Sequence, residues 1–73
     1  MYENIADNLR YLRTTRTPAY SQREIAEKLQ VSRSTYARYE KGELIPPLWF
    51  LYQASVFYGI DVNTLLSKEL QKE

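Results

Sequence analysis

The sequence contains no cysteine and no histidine. Without cysteine the chain can form no disulfide and offers no thiolate, and a reducing cytoplasm is the expected compartment. Without histidine it lacks the commonest general base and the commonest metal ligand. Two glycines are too few for a glycine-rich phosphate loop, and Glu24, Glu27 and Glu40 are separated on helical faces. We therefore expect no enzymatic activity, no metal site and no cofactor.

Long apolar runs are absent as well. None approaches the ~20 residues of a membrane-spanning helix, and the acidic start MYENIADNLR lacks the apolar stretch of a secretory signal. Apolar residues make up 44% of the chain, which indicates a globular protein. Its 73 residues predict one domain, 1–73, with a core at 5–66. We expect a cytoplasmic protein with no membrane partner.

The net charge is small, but the charged residues are unevenly placed along the chain. The net charge is +1, yet residues 8–42 hold eight Lys or Arg against three Glu, a local charge of +5. Residues 1–7 and 43–73 each carry −2. This asymmetry is consistent with an anionic partner for the middle of the chain, or with a salt-bridged surface.

Apolar residues recur at helical spacing, and no segment alternates long enough to be a strand. The fold class is therefore all-α, with five helices and short connections. The predicted helices are helix 1 from Ile5 to near Thr15, helix 2 after Ser21, helix 3 from Ser32 to Gly42, helix 4 at 48–58 and helix 5 at 62–68, followed by a tail at 69–73.

Serine marks the start of helix 2 and of helix 3. Ser21 and Glu24 have the spacing of a capping box, in which each side chain bonds the backbone of the other residue. Ser32 is the predicted cap of helix 3, and Asp61 that of helix 5. Gly42 is a natural residue for the end of helix 3.

Helices 2 and 3 are joined by only Leu29-Gln30-Val31. Two short helices with so short a connection, and with a small residue inside the first, describe a helix-turn-helix. Ala26 is that small residue, because a larger side chain there would hold the two helices apart. In this motif the second helix projects its outer face and can enter the major groove of DNA.

Three stretches and one proline resemble the phage-repressor and Cro-type helix-turn-helix family, also called the XRE family. They are LRYLR at 9–13, SQREIAEKLQVSRSTYARYEKG at 21–42, the proline at 46 and YGIDVNTLL at 58–66. The resemblance covers about residues 5–66. It implies a compact five-helix, lambda-repressor-like domain, usually a homodimer, which binds an inverted-repeat operator in double-stranded DNA. The implied function is transcription regulation, with repression as the expected role.

The resemblance also assigns roles to single residues. Gln22 matches a glutamine whose amide usually touches a phosphate, and Thr35 and Lys41 resemble phosphate contacts. Arg33, Ser34 and Arg38 match positions that reach base edges. Arg13 and Glu40 match an arginine and a glutamate that often form a salt bridge, which would fix helix 3.

The residue chemistry of helix 3 agrees with these roles. Residues 33, 34, 37, 38 and 41 lie opposite Tyr36 and Tyr39 on a helix. Arginine is well suited to bidentate recognition of guanine, and the short Ala37 allows close approach and contact with a thymine methyl group. For Arg16 and Arg23 the sequence leaves two interpretations open, a phosphate contact or a solvated charge.

The sequence departs from the family pattern at three places. Gln30 stands where glycine is common, so a left-handed backbone there would cost about 1 kcal/mol. The loop TTRTPAY is about two residues longer than usual. Helix 4 carries Trp49, Phe50 and Val56 at positions that are usually polar.

Helix 4 has more apolar residues than one buried face needs. Packing on the core is assigned to Leu48, Leu51, Ser55 and Tyr58. A second stripe, Trp49, Tyr52 and Val56, is the candidate dimer interface, and the alternative is that these three residues are buried within one chain.

Two further alternatives stay open. The fold could serve as an antitoxin-type or protein-interaction module instead of a DNA reader. The seven tyrosines could stack on bases, as in single-strand binders, but the spacing of Tyr11, Tyr20, Tyr36, Tyr39 and Tyr58 favours core packing. No effector pocket is evident.

Overall fold

A computed structural model of the chain describes residues 4–67 and residue 70. That part of the chain contains five helices and no strand, which confirms the predicted all-α fold. The predicted end of helix 5 at residue 68 and the predicted tail, apart from Leu70, lie outside the described residues. The helices are α1 Ile5–Thr15, α2 Gln22–Lys28, α3 Arg33–Lys41, α4 Leu48–Tyr58 and α5 Val62–Ser67.

The polar caps form where the sequence predicts them. The Oγ of Ser21 accepts a hydrogen bond from the Glu24 amide at 3.0 Å, and the Ser21 amide donates to Glu24 Oε1 at 2.9 Å. Ser32 accepts from the amide of Thr35 at 3.1 Å. Asp61 accepts from the amide of Asn63 at 3.1 Å. These bonds satisfy amide groups that the first turn of a helix leaves without partners.

Helices α2, α3 and α4 end in the same kind of turn. One residue adopts a left-handed conformation, and the amide of the next residue reaches back to a carbonyl of the last turn at 3.0 Å. Glycine supplies this conformation at Gly42 and Gly59, whereas Gln30 adopts it with a φ of 65°. The expected left-handed turn at Gln30 is therefore present, at a cost of about 1 kcal/mol.

The core lies where aromatic side chains of α3 meet α4. The Phe50 ring lies 4.7 Å from that of Tyr39 and 6.2 Å from that of Tyr36, between ring centroids. All three side chains are buried. The other buried apolar residues are Ile5, Leu9, Leu12, Ile25, Ala26, Leu29, Leu51, Ala54, Tyr58 and Leu65.

The predicted packing of α4 is wrong at Leu48 and omits Phe50. Leu48, assigned to the core, is 74% exposed, and Phe50, an apolar residue at a usually polar position, is fully buried. Helix α4 begins at Leu48, so this side chain extends past the edge of the core. The face that is buried consists of Phe50, Leu51, Ala54, Ser55 and Tyr58.

A buried asparagine joins the two ends of the described chain. The side-chain amide nitrogen of Asn8 donates to the Leu65 carbonyl at 2.9 Å, and its side-chain oxygen accepts from the backbone amide of Leu70 at 3.2 Å. Asn4 donates to the carbonyl of Ser67 at 3.1 Å. These contacts hold α5 against α1.

Candidate nucleic-acid interface

The base-edge candidates share the outer side of α3. Arg33, Ser34 and Arg38 are exposed, Ala37 is half-buried among them, and Lys41 is exposed at the end of the helix. The inner side of α3 is formed by buried Tyr36, Tyr39 and Glu40. We call Arg33, Ser34, Ala37, Arg38 and Lys41 the α3 face. It presents three cations with two small side chains between them.

The turn before α3 is held by backbone bonds and by one side chain from α4. The amide of Val31 donates to the Ala26 carbonyl at 3.0 Å. The side-chain amide of Gln53 donates to the Leu29 carbonyl at 3.2 Å. Ala26 is buried, as expected for the small residue between the two helices. The start of α3 is therefore fixed relative to α2 and α4.

The end of α3 is held by the buried carboxylate of Glu40. Arg13 donates from Nε to Oε2 at 2.6 Å and from Nη2 to Oε1 at 3.0 Å. Tyr36 donates its hydroxyl to Oε2 at 2.6 Å, and Gln22 donates its amide to Oε1 at 3.1 Å. We call these four residues the Glu40 network. It contains the Arg13–Glu40 pair and joins α1, α2 and α3 at one point.

Sequence reasoning missed two members of the Glu40 network. Tyr36 lies four residues before Glu40, and residues with this spacing face each other on a helix, so the contact was detectable from the sequence. Gln22 comes from another helix, and no sequence signal pointed to its bond with Glu40. Arg13 also donates to the carbonyl of Tyr20 at 3.0 Å, which fixes the approach to α2.

The Glu40 network shifts the pKa of its members. Burial alone would raise the pKa of Glu40, but hydrogen bonds from Arg13, Tyr36 and Gln22 outweigh burial and hold that pKa below its ordinary value. The hydrogen bond to Glu40 raises the pKa of Arg13. Burial and the adjacent carboxylate raise the pKa of Tyr36. Glu40 and Arg13 are charged at neutral pH, and Tyr36 is neutral.

The phosphate candidates lie at the starts of α2 and α3 and at the end of α3. Gln22 is half-buried, and its bond to Glu40 uses one amide hydrogen and leaves the other. Thr35 is half-buried and its Oγ1 accepts from Ser32 Oγ at 2.9 Å, which leaves its own hydroxyl hydrogen for a further acceptor. Arg23 and Lys41 are exposed.

Arg16 is not a freely solvated charge. Its Nη2 donates to the carbonyl of Tyr58 at 3.1 Å, and its guanidinium carbon lies 5.0 Å from the centroid of the Tyr58 ring. A cation is favourable at the C-terminal end of a helix such as α4 and over an aromatic face. Arg16 is therefore exposed but held against the end of α4, and its contact with a phosphate stays a prediction.

A carboxylate that sequence reasoning overlooked adjoins the α3 face. Glu43 follows Gly42, and its Oε1 lies 3.7 Å from Nε of Arg38. Because the left-handed Gly42 turns the chain back after α3, Glu43 comes beside a residue one turn earlier.

The second stripe of α4 is exposed. Trp49, Tyr52 and Val56 are 51%, 63% and 61% exposed. The alternative that these residues are buried within one chain is therefore wrong. Phe57 is exposed beside them, and Lys28 of α2 and the following Leu29 line the adjoining depression. We call Trp49, Tyr52, Val56 and Phe57 the α4 patch.

The tyrosines pack as their spacing predicts. Tyr36, Tyr39 and Tyr58 are buried, and Tyr11 and Tyr20 are partly buried against the core. These five rings are not a platform for stacking bases.

No cluster of carboxylate, histidine or cysteine side chains in residues 4–67 or at residue 70 could hold a metal ion. None of the five helices has the length and apolar character needed to cross a membrane.

Comparison with known proteins gave one result. A family model described as a helix-turn-helix domain matches residues 5–66. The match covers α1 to α4 and all of α5 except its last residue. Searches of curated proteins and of solved structures returned no match.

Proposed function

The chain belongs to the helix-turn-helix domain family, and from this premise we propose that it binds double-stranded DNA sequence-specifically and regulates transcription. The observation that carries the proposal is the α3 face, which offers Arg33, Arg38 and Lys41 to solvent with Ser34 and Ala37 between them. Small residues between cations allow the helix to approach the floor of the major groove.

Within this proposal the residues of the α3 face have separate tasks. Arg33 and Arg38 each present a planar guanidinium, which can donate two hydrogen bonds to O6 and N7 of guanine. Ser34 can donate to or accept from a base edge, and the methyl group of Ala37 can contact thymine. These four side chains would read the sequence.

The phosphate candidates would place α3 in the groove. Gln22, Thr35 and Arg23 lie at the starts of α2 and α3, where backbone amides favour anions. Lys41 would contact a phosphate beyond the other end of α3. Glu40 supports this arrangement, because it holds the Gln22 amide relative to α3.

We further propose a homodimer that uses the α4 patch. A contiguous apolar patch is unusual on a monomeric protein, and a second copy of the same chain offers it a matching apolar surface. A two-fold symmetric pair would place two copies of α3 about 34 Å apart, one turn of DNA, and would require an inverted-repeat site. Repression by occupancy of such an operator is the proposed outcome.

Mobility shifts over a salt series test DNA binding. With three to five phosphates neutralised per subunit, a dimer should show a slope of log affinity against log salt of about −5 to −9. Arg38→Ala should lose about 1–3 kcal/mol on the preferred site and little on other sequences. Gln22→Ala should weaken binding to all sequences alike. A flat salt dependence would contradict the proposal.

A second candidate function is an antitoxin-type or protein-interaction module, which the exposed α4 patch favours. Such a module would not need the α3 face. If Arg33→Ala and Arg38→Ala leave every interaction of the protein unchanged, this alternative replaces the first proposal.

A further inference from the structure

We propose that Glu43 determines specificity at the α3 face, by orienting Arg38 toward a base and by opposing its contact with phosphate. The inference rests on the proposed DNA binding. It concerns a carboxylate that neither the helix-turn-helix motif nor the cationic character of the α3 face explains.

Backbone bonds fix Glu43 beside Arg38. Gly42 ends α3 with a φ of 77°, and the amide of Glu43 donates to the carbonyl of Arg38 at 3.0 Å. The two side chains thus leave backbone positions that are tied to each other by a hydrogen bond. Both are more than half exposed, so they meet on the outer side of the molecule.

The contact involves the inner nitrogen of the guanidinium. Oε1 of Glu43 lies 3.7 Å from Nε of Arg38. This distance is that of an ion pair and is longer than a hydrogen bond. A guanidinium has five N–H groups, and a carboxylate on the Nε side leaves the outer Nη groups for a bidentate contact. The carboxylate can therefore limit the directions of the Arg38 side chain without occupying the nitrogens that would contact guanine.

Stability does not account for this pair. An ion pair so exposed contributes little to folding. Three other carboxylates have evident structural roles, since Glu24 caps α2, Asp61 accepts from the amide of Asn63, and Glu40 is buried in its network. The effect of Glu43 is instead expected when the α3 face meets a partner.

On DNA a carboxylate at this place acts unequally on different sequences. Non-specific binding comes almost entirely from attraction to phosphates. Glu43 repels phosphates and competes with them for Arg38, so it weakens binding to every duplex. On the preferred site, Arg38 is already oriented and contacts a guanine, and this contact offsets the loss of affinity. The result is a larger ratio of specific to non-specific affinity.

The test compares Glu43→Gln with Glu27→Gln. Both substitutions remove one negative charge from an exposed residue, but Glu27 lies on α2. For Glu43→Gln we expect about threefold tighter binding to random-sequence duplex, with a salt slope steeper by about 0.9 per subunit. The ratio of the affinity for the preferred site to the affinity for random-sequence duplex should fall about fivefold or more. The base preference should be lost at one base pair per half-site. Glu27→Gln should leave the ratio at the wild-type value.

A double variant tests whether Glu43 acts through Arg38. In an Arg38→Ala background, Glu43→Gln should cause no further loss of base preference. Unchanged thermal unfolding of the single variants shows that their folds are intact.

The possible failures are distinguishable. If the wild-type protein binds DNA selectively and Glu43→Gln keeps the wild-type ratio, the inference about Glu43 is wrong and the proposed function stands. If Glu27→Gln changes the ratio by the same amount, the effect comes from net charge alone, and the inference about Glu43 is also wrong. If the wild-type protein binds no DNA, the proposed function fails and the role of Glu43 fails with it.

Discussion

Helices α3 and α4 each bury one side and expose the other, yet their exposed sides differ in chemistry. The outer side of α3 carries Arg33, Arg38 and Lys41, whereas the outer side of α4 carries Trp49 and Tyr52. A small domain that exposes both kinds of surface has two kinds of partner available. The cationic surface suits an anion such as DNA, and the apolar surface suits a second protein surface.

The inner sides of the two helices differ as well. The inner side of α3 adds a charged network around Glu40 to the tyrosine rings that pack on Phe50, whereas the buried residues of α4 are all uncharged. A buried charged network depends on every partner and on pH. An apolar contact depends on shape and volume. The same perturbation should therefore affect the two helices in different ways.

The largest effect is expected at Phe50, on the inner side of α4. Phe50→Ala should lower the free energy of unfolding by about 3–5 kcal/mol, because it removes a fully buried ring that contacts Tyr36 and Tyr39. Trp49→Ala, one residue away but half-exposed, is the matched control and should cost much less. Urea unfolding of both variants measures the difference. Equal losses would contradict the assignment of the two sides of α4.

A somewhat smaller loss is expected at Glu40, on the inner side of α3. Glu40→Ala should cost about 3 kcal/mol, because it leaves Arg13 partly buried without its carboxylate. DNA binding should fall as well, since Gln22 loses the acceptor that holds it. Glu43→Ala, an exposed carboxylate three residues away, is the control for stability. If Glu40→Ala melts like the wild type, the network does not hold α3.

A smaller effect is expected from pH. The pKa of Glu40 is lower in the folded chain than in the unfolded chain. Its contribution to stability is therefore complete above the ordinary glutamate value of about 4.3 and is lost as the pH falls through the lower folded value. The raised pKa of Tyr36 acts in the opposite range, so stability should also decline above pH ~10.

Unfolding midpoints measured across this range test the sign of both effects. Glu40→Gln should flatten the acid side of the profile, and Tyr36→Phe should flatten part of the alkaline side. An acid decline that persists unchanged in Glu40→Gln would assign it to other carboxylates.

Sequence patterns predicted the helices well because each start and end depends on a few neighbouring residues. Ser21, Ser32 and Asp61 accept amide hydrogens from residues two or three positions ahead, so their roles are visible in the sequence. Gly42 and Gly59 mark ends for the same local reason.

Contacts between distant residues were harder to predict. The choice between Leu48 and Phe50 for the core depended on how far α4 rotates against α3, which helical spacing alone does not determine. The bond from Gln22 to Glu40 and the pair of Arg38 with Glu43 depend on the angles between elements. The Arg13–Glu40 pair was anticipated from family resemblance, not from spacing.

The central claim is that α3 reads DNA while α4 joins two copies of the chain. The most direct test selects bound duplexes from a random pool, in parallel for the wild-type protein and for Trp49→Glu. The wild type should enrich an inverted repeat whose half-sites are about 34 Å apart. Trp49→Glu should enrich the same half-site without its repeat, because charge at the α4 patch separates the copies and leaves the α3 face intact. Enrichment of the full inverted repeat by Trp49→Glu would contradict the role of the α4 patch. No enrichment by the wild type would contradict the account as a whole.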